Sequence, residues 1–189
     1  MATVMKRKGY GQVEPNHLSG IVTGQIYAQL PAATTKTVTN GVTTYGGIKQ
    51  LEQGQFAKYD YAAGKVNFNG DGEFMLVYNE EKLYDERKQS HKDFVYKVED
   101  FTDEQMYPRL IKTNVGDIFT TNTIAVANTS DTAPVGTVSL SVNDKLQPDA
   151  TDGFLKKATG NDLTGMVWKV VKETTMPDGQ PGVKIQRIQ

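Results

Sequence analysis

The run Phe74-Met-Leu-Val-Tyr78 constrains this chain more than any other stretch. Five consecutive apolar residues suffice for a buried strand and are too few for an ordinary helix. Upstream, Gly54-Gln-Phe-Ala-Lys-Tyr-Asp60 alternates if extended: Phe56, Lys58 and Asp60 fall on one side, Gln55, Ala57 and Tyr59 on the other. Between the two segments, Asn69-Gly70 and Asp71-Gly72 bring residues that tolerate positive φ, as tight hairpin connections demand. The stretch predicts a β core with Asn69–Gly72 as a hairpin turn.

The remaining chain extends that reading. Residues 1–19 read as an N-terminal arm, basic at Lys6-Arg7-Lys8 and interrupted by Gly9, Gly11 and Pro15. Lys6, Arg7, Lys8, Tyr10, Val13 and Leu18 are its candidate contact residues on a partner, and removing residues 1–18 is expected to abolish partner binding while leaving folding intact. From Ser19 to Leu30 the chain reads as extended until Pro31, which cannot donate to a ladder. Thr34 to Tyr45 is a hairpin centred on Asn40-Gly41, with sides so rich in threonine that it predicts an exposed finger. Val38, Asn40 and Val42 are its candidate contact residues. Asn79-Glu80-Glu81 resembles a helix start, with a short helix to about Lys88, and Thr102-Asp-Glu-Gln105 matches a capping box. Strand-sized segments then follow at Arg109–Thr113, Gly116–Thr120, Thr123–Ala127 and Val135–Val142. Met166–Val171 and Val183–Ile188 close the series, the last slipping out of alternation at Ile188.

This pattern predicts a mainly β protein, a β-barrel or β-sandwich with short peripheral helices and an extended N-terminal arm. Residues 20–189 form the β domain, and a division into two subdomains would fall near residues 105–115. A chain of 189 residues is long enough to bury a sizeable core, and 9 Tyr, 7 Phe and 1 Trp offset a modest hydrophobic fraction of 38%. The absence of cysteine removes disulfides and thiolate metal sites. A formal net charge of −1 gives no global attraction to nucleic acid or anionic membranes, and no apolar run approaches the ~20 residues of a spanning helix.

Catalytic patterns fail one by one. Gly41–Gly46 has the glycine spacing of a phosphate loop, but Gly47-Ile48 stands where Lys and a hydroxyl residue belong. Asn67-x-Asn69-x-Asp71-Gly72 copies the opening of a calcium loop, yet Tyr78 occupies the position of the bidentate glutamate, and a turn is the better account. His17 and His91, the only histidines, lie in the glycine-proline arm and in a charged run, where a surface polar residue is the better reading than a catalytic base. No enzyme activity, cofactor or metal is expected.

Leu51–Asp60, Phe74–Asp85, Gly116–Thr121, Lys169–Thr174 and Gly182–Ile188, in that order, resemble tailed-bacteriophage head proteins. The likeness is to the auxiliary or decoration proteins that bind the outside of an assembled capsid, and it spans roughly residues 45–189. It implies a non-enzymatic virion protein on the capsid surface, assembled in the host cytoplasm, whose partner is the major capsid protein. It also implies self-association on the shell, a trimer being one arrangement, and contact with neither nucleic acid nor membrane. Two alternatives stand beside it: a tail or head–tail connector component, and a carbohydrate-binding β module in which Trp168 stacks on a glycan. Core packing is the better reading of Trp168, given Val167-Trp-Lys-Val-Val171.

Overall fold

Alternation along Phe56–Asp60 decides the architecture, because the two sides of that strand enter two separate cores. Phe56 packs with Leu76, Phe119, Trp168 and Ile185, whereas Ala57 and Tyr59 pack with Met75, Val77 and Leu110. A strand buried on both faces needs no polar side, and neighbouring Met75-Leu76-Val77 is accordingly an unbroken apolar run.

The computed structural model describes residues 2–5, 7, 9–78, 95–100, 105–125, 129–130, 133–134, 138–160 and 163–189. The first half holds β1 (Thr3–Met5), β2 (Val13–His17), helix α1 (Ser19–Val22), β3 (Ile26–Tyr27), β4 (Thr34–Thr39), β5 (Val42–Gly47) and β6 (Gln50–Glu52). It continues with β7 (Phe56–Asp60), β8 (Lys65–Asn67), β9 (Met75–Val77) and β10 (Val95–Lys97), the last followed by a 3-10 turn at Val98–Asp100. The second half holds β11 (Leu110–Ile111), β12 (Ile118–Thr121), β13 (Thr129–Ser130), β14 (Ala133–Pro134) and β15 (Val138–Leu140). Strands β16 (Lys145–Pro148), β17 (Leu155–Lys157), β18 (Trp168–Thr175) and β19 (Pro181–Arg187) complete it.

Two sheets dominate. A five-stranded sheet runs β3-β11-β9-β7-β8, and a six-stranded sheet runs β17-β16-β18-β19-β12-β2. Every pairing between named strands is antiparallel. The sheets share the core of Phe56, Leu76, Phe119, Leu146, Trp168, Val170, Val183 and Ile185, and this is a sandwich arrangement. Trp168 has no exposed surface, and its ring sits edge-on to Phe119 at 4.9 Å and tilted against Phe56 at 5.7 Å. The outer face of the five-stranded sheet is covered by Ala32, Ile48, Leu51, Val98 and Met106.

The mainly β expectation therefore holds in its sandwich form, with no closed barrel among the described residues. The hairpin turn was misplaced. β7 and β8 are joined by residues 61–64, with Gly64 at φ 63°, and neither Gly70 nor Gly72 has positive φ. Residues 69–72 instead carry the chain from edge strand β8 to β9 on the other side of β7, passing so close that the Gly72 N–H donates to Tyr59 O at 3.0 Å. Ser19–Val22 is a helical turn and not extended, because the Ser19 N–H is taken by Asp117 Oδ1 (3.0 Å) and Thr23 N–H returns to Ser19 O (3.0 Å). Val183 and Ile185 are buried in step and the exposed Ile188 lies just beyond β19, in keeping with the expected slip, and a separate register shift falls in β18 between Val170 and Lys172. The helix expected from Asn79 and most of the Thr102–Gln105 capping box lie outside the described residues.

Candidate contact surface

The two segments singled out as contact elements have opposite surroundings. The first, residues 1–19, is extended but built into the body. β1 pairs with β15, and β2 forms one edge of the six-stranded sheet against β12. Met5 and Leu18 are 1% and 3% exposed within the sandwich core, and Val13 packs against the same core. Arg7 lies over the Phe154 ring and places Nη1 2.7 Å from Glu52 Oε2, with the two side chains only 10% and 5% exposed. Tyr10 is half-buried, with Lys97 Nζ 5.3 Å above its ring. Lys6 and Lys8 lie outside the described residues.

A chain of buried polar contacts holds this segment. Glu52 Oε2 accepts from the Gly11 N–H (2.8 Å), Asn122 Oδ1 accepts from the Gln12 N–H (2.9 Å), and Thr121 Oγ1 donates to Gln12 O (2.7 Å). Thr123 Oγ1 donates to Gln53 O (2.7 Å), and the Gln12 side-chain amide donates to Asp178 Oδ2 (2.7 Å). The approach is tight: a Cβ at Gly11 would sit 2.2 Å from both Gln53 O and Thr123 Oγ1. Buried backbone groups require partners, and here side chains from two distant parts of the sequence, Glu52 and Thr121–Thr123, supply them. The arm reading of residues 1–19 is corrected on this ground. Gly11 and Gln12 meet buried counterparts, while Asn16 and His17 at the end of β2 are exposed.

The second segment is the hairpin β4–β5. Asn40 (φ 52°) and Gly41 (φ 76°) are both left-handed, the type I′ geometry whose twist suits a two-residue hairpin. The register runs from Thr34↔Gly47 to Thr39↔Val42. Thr35 to Thr44 are exposed without interruption, Val38 at 58% and Val42 at 62%. Opposite residues share a face, so Val38 and Thr43 lie on one side of the ribbon and Thr39 and Val42 on the other. The two valines therefore point to opposite faces.

Three edges of the two large sheets are guarded. β2 carries Pro15, and β17 ends in Lys156-Lys157. β8 is capped by a bridge to Ala32, with Val66 N–H donating to Pro31 O (2.8 Å) and Ala33 N–H to Val66 O (2.7 Å). In a two-residue hairpin, Val38 and Thr43 turn their backbone groups outward, and among the described residues those groups meet no partner.

Asn67 serves its own turn, accepting from the Asn69 N–H (3.1 Å) and donating to Asp60 Oδ2 (3.1 Å). His17 is exposed, and His91 lies outside the described residues. Among the described residues, no three His, Asp or Glu side chains are grouped to hold a metal, and no helix is long and apolar enough to cross a membrane. Trp168, buried between the sheets, is not available to stack on a glycan. Sequence reasoning missed Gln12, Glu52 and the Thr121–Thr123 run, since nothing local marks a polar residue as buried. No protein family, curated protein or solved structure matches the chain.

Proposed function

We propose that this protein is a non-enzymatic structural component of a tailed-bacteriophage virion, bound to the outside of the capsid shell, with the β4–β5 hairpin as its contact with the major capsid protein. The observation that supports the reading is ten consecutive exposed residues in a two-stranded ribbon whose Val38 and Thr43 backbone groups face outward, on a body whose β2, β8 and β17 edges are blunted. An edge of this kind is a template for strand addition, in which backbone hydrogen bonds give affinity and alternate side chains give specificity. A small contact suffices on a symmetric shell, because self-association there multiplies weak contacts through effective concentration. Arg7, Val13 and Leu18 leave the contact set, since they hold the body together.

The test is co-sedimentation of the purified protein with phage heads, beside a variant in which residues 35–44 are replaced by a short Gly-Ser turn. The reading expects saturable pelleting of the wild type, with the variant left in the supernatant at an unchanged melting temperature. A protein that ignores heads overturns it. Rings or tubes formed by the protein alone favour a tail or connector role.

A further inference from the structure

We infer that Asn40 is a site of spontaneous deamidation, an ageing reaction that the fold directs to the hairpin tip and away from the chain's other Asn-Gly pair. The sequence contains two such pairs, Asn40-Gly41 and Asn69-Gly70. In the reaction, water or hydroxide removes the Gly N–H proton and the amide nitrogen attacks the Asn Cγ. A new N–Cγ bond forms, the Cγ–Nδ2 bond breaks, and ammonia leaves. Water then opens the five-membered imide at either carbonyl, giving aspartate or isoaspartate. The net change is amide plus water to carboxylic acid plus ammonia, with no oxidation or reduction.

Glycine permits the attack because it places no Cβ in the way. The remaining requirement is freedom of the backbone to rotate out of its turn and bring the nitrogen over Cγ. At Asn40-Gly41 both residues are exposed, and an added Cβ at Gly41 would meet nothing within 4 Å. The turn closes a ribbon of two strands only, and its last pair is Thr39↔Val42. Isolated two-stranded ribbons are marginal in water, so opening the tip costs little and leaves the sandwich untouched.

The second pair is differently held. Gly70 is buried, and a Cβ there would lie 2.9 Å from Tyr59 O and 3.0 Å from Asp60 N. The Asn69 N–H is bound by Asn67 Oδ1 (3.1 Å), and the Gly72 N–H by Tyr59 O (3.0 Å). Rotation there must lift the segment off β7, whose residues lie in both cores. Two chemically identical dipeptides thus differ only in the cost of opening. Conversion at Asn40 adds one negative charge to a tip otherwise built of threonine and valine, and the isoaspartate product inserts a methylene that breaks the Thr39↔Val42 pair.

The test incubates the folded full-length protein in warm, mildly alkaline buffer and follows tryptic peptides Thr37–Lys49 and Val66–Lys82 by mass spectrometry. Isoaspartyl methyltransferase labelling identifies the rearranged product. The expected result is that Asn40 converts about tenfold faster or more, as ~1.4 kcal/mol of extra opening cost at Asn69 requires, and that the two rates converge in denaturant. An Asn40→Gln variant, too long to close the five-membered ring, should lose the acidic shift. Equal rates in the folded protein overturn the inference. So does Asn40 surviving in the folded chain while converting in the unfolded one.

Discussion

Residues 3–18 and 34–47 look alike as sequence: short, weakly apolar and interrupted by glycine. Their settings are opposite. The first segment is tied into the body by Glu52, Asn122, Thr121 and Asp178, and the second stands in solvent with its own ladder as its main support. The difference lies in what the rest of the chain supplies to each. Buried carboxylates and hydroxyls make an arm structural, while a threonine ribbon without an apolar face stays outside any core.

The largest expected effect comes from removing residues 1–18. The cut strips an edge strand, Met5 and Leu18 from the sandwich and removes the Arg7 and Gly11 contacts of Glu52, the Gln12 N–H held by Asn122 and the Gln12 carbonyl held by Thr121. Loss of the cooperative thermal transition is expected, and a truncated chain melting like the full one would break the comparison. Trp168→Ala should follow at about 3–5 kcal/mol, measured by denaturant unfolding. Trp168→Phe should cost much less, because the indole N–H has no acceptor in its buried site and its removal relieves an unmet donor.

Arg7→Ala leaves the Glu52 carboxylate buried with only part of its bonding, and about 3 kcal/mol of lost stability is expected. Arg7→Ala with Glu52→Gln should recover part of that loss, a sign that the uncompensated charge is the cause. The same two substitutions placed in the hairpin segment have no counterpart, since no buried charge lies there.

A smaller effect concerns acid. Burial alone would push the Asp144 carboxyl up, but hydrogen bonds from Lys157 Nζ (2.7 Å) and the Ser141 N–H (2.8 Å) hold it below its ordinary value. A carboxyl lowered on folding stabilises the protein above its unfolded pKa, ~3.9 for aspartate, and that contribution is lost as pH falls through the folded value. Asp144→Asn should therefore lower the melting temperature near neutrality and converge with wild type in strong acid. The pair is partly exposed, so salt should shrink the difference. The smallest effect belongs to the ribbon: Val38→Ser or Val42→Ser should change stability by less than ~0.5 kcal/mol, against a clear loss of head binding in the co-sedimentation assay.

What was readable in the sequence was what is local. Asn40-Gly41 announces its own turn, Phe56-Ala57 its alternation, and Met75-Leu76-Val77 a strand covered on both sides. Trp168 declares a core through its apolar neighbours. Gly70 and Gly72 misled because glycine signals freedom of φ and close approach alike, and only the passage beneath Tyr59 tells them apart. The N-terminal segment misled for a different reason. The partners of Gly11 and Gln12 lie 41 and 110 residues away, and a polar residue carries no mark of being buried. The exposed finger was legible, since Val38, Asn40 and Val42 lie in it, whereas the burial of Arg7, Val13 and Leu18 in the body was not.

The contrast between the two segments is tested most directly by native-state hydrogen exchange on the intact chain. The amides of Gly11 and Gln12 should exchange only with global unfolding, and those of Val38 and Thr43 within the fastest class. Rapid exchange at Gly11 and Gln12 with protection at Val38 and Thr43 would contradict the account and restore the N-terminal segment as the free arm.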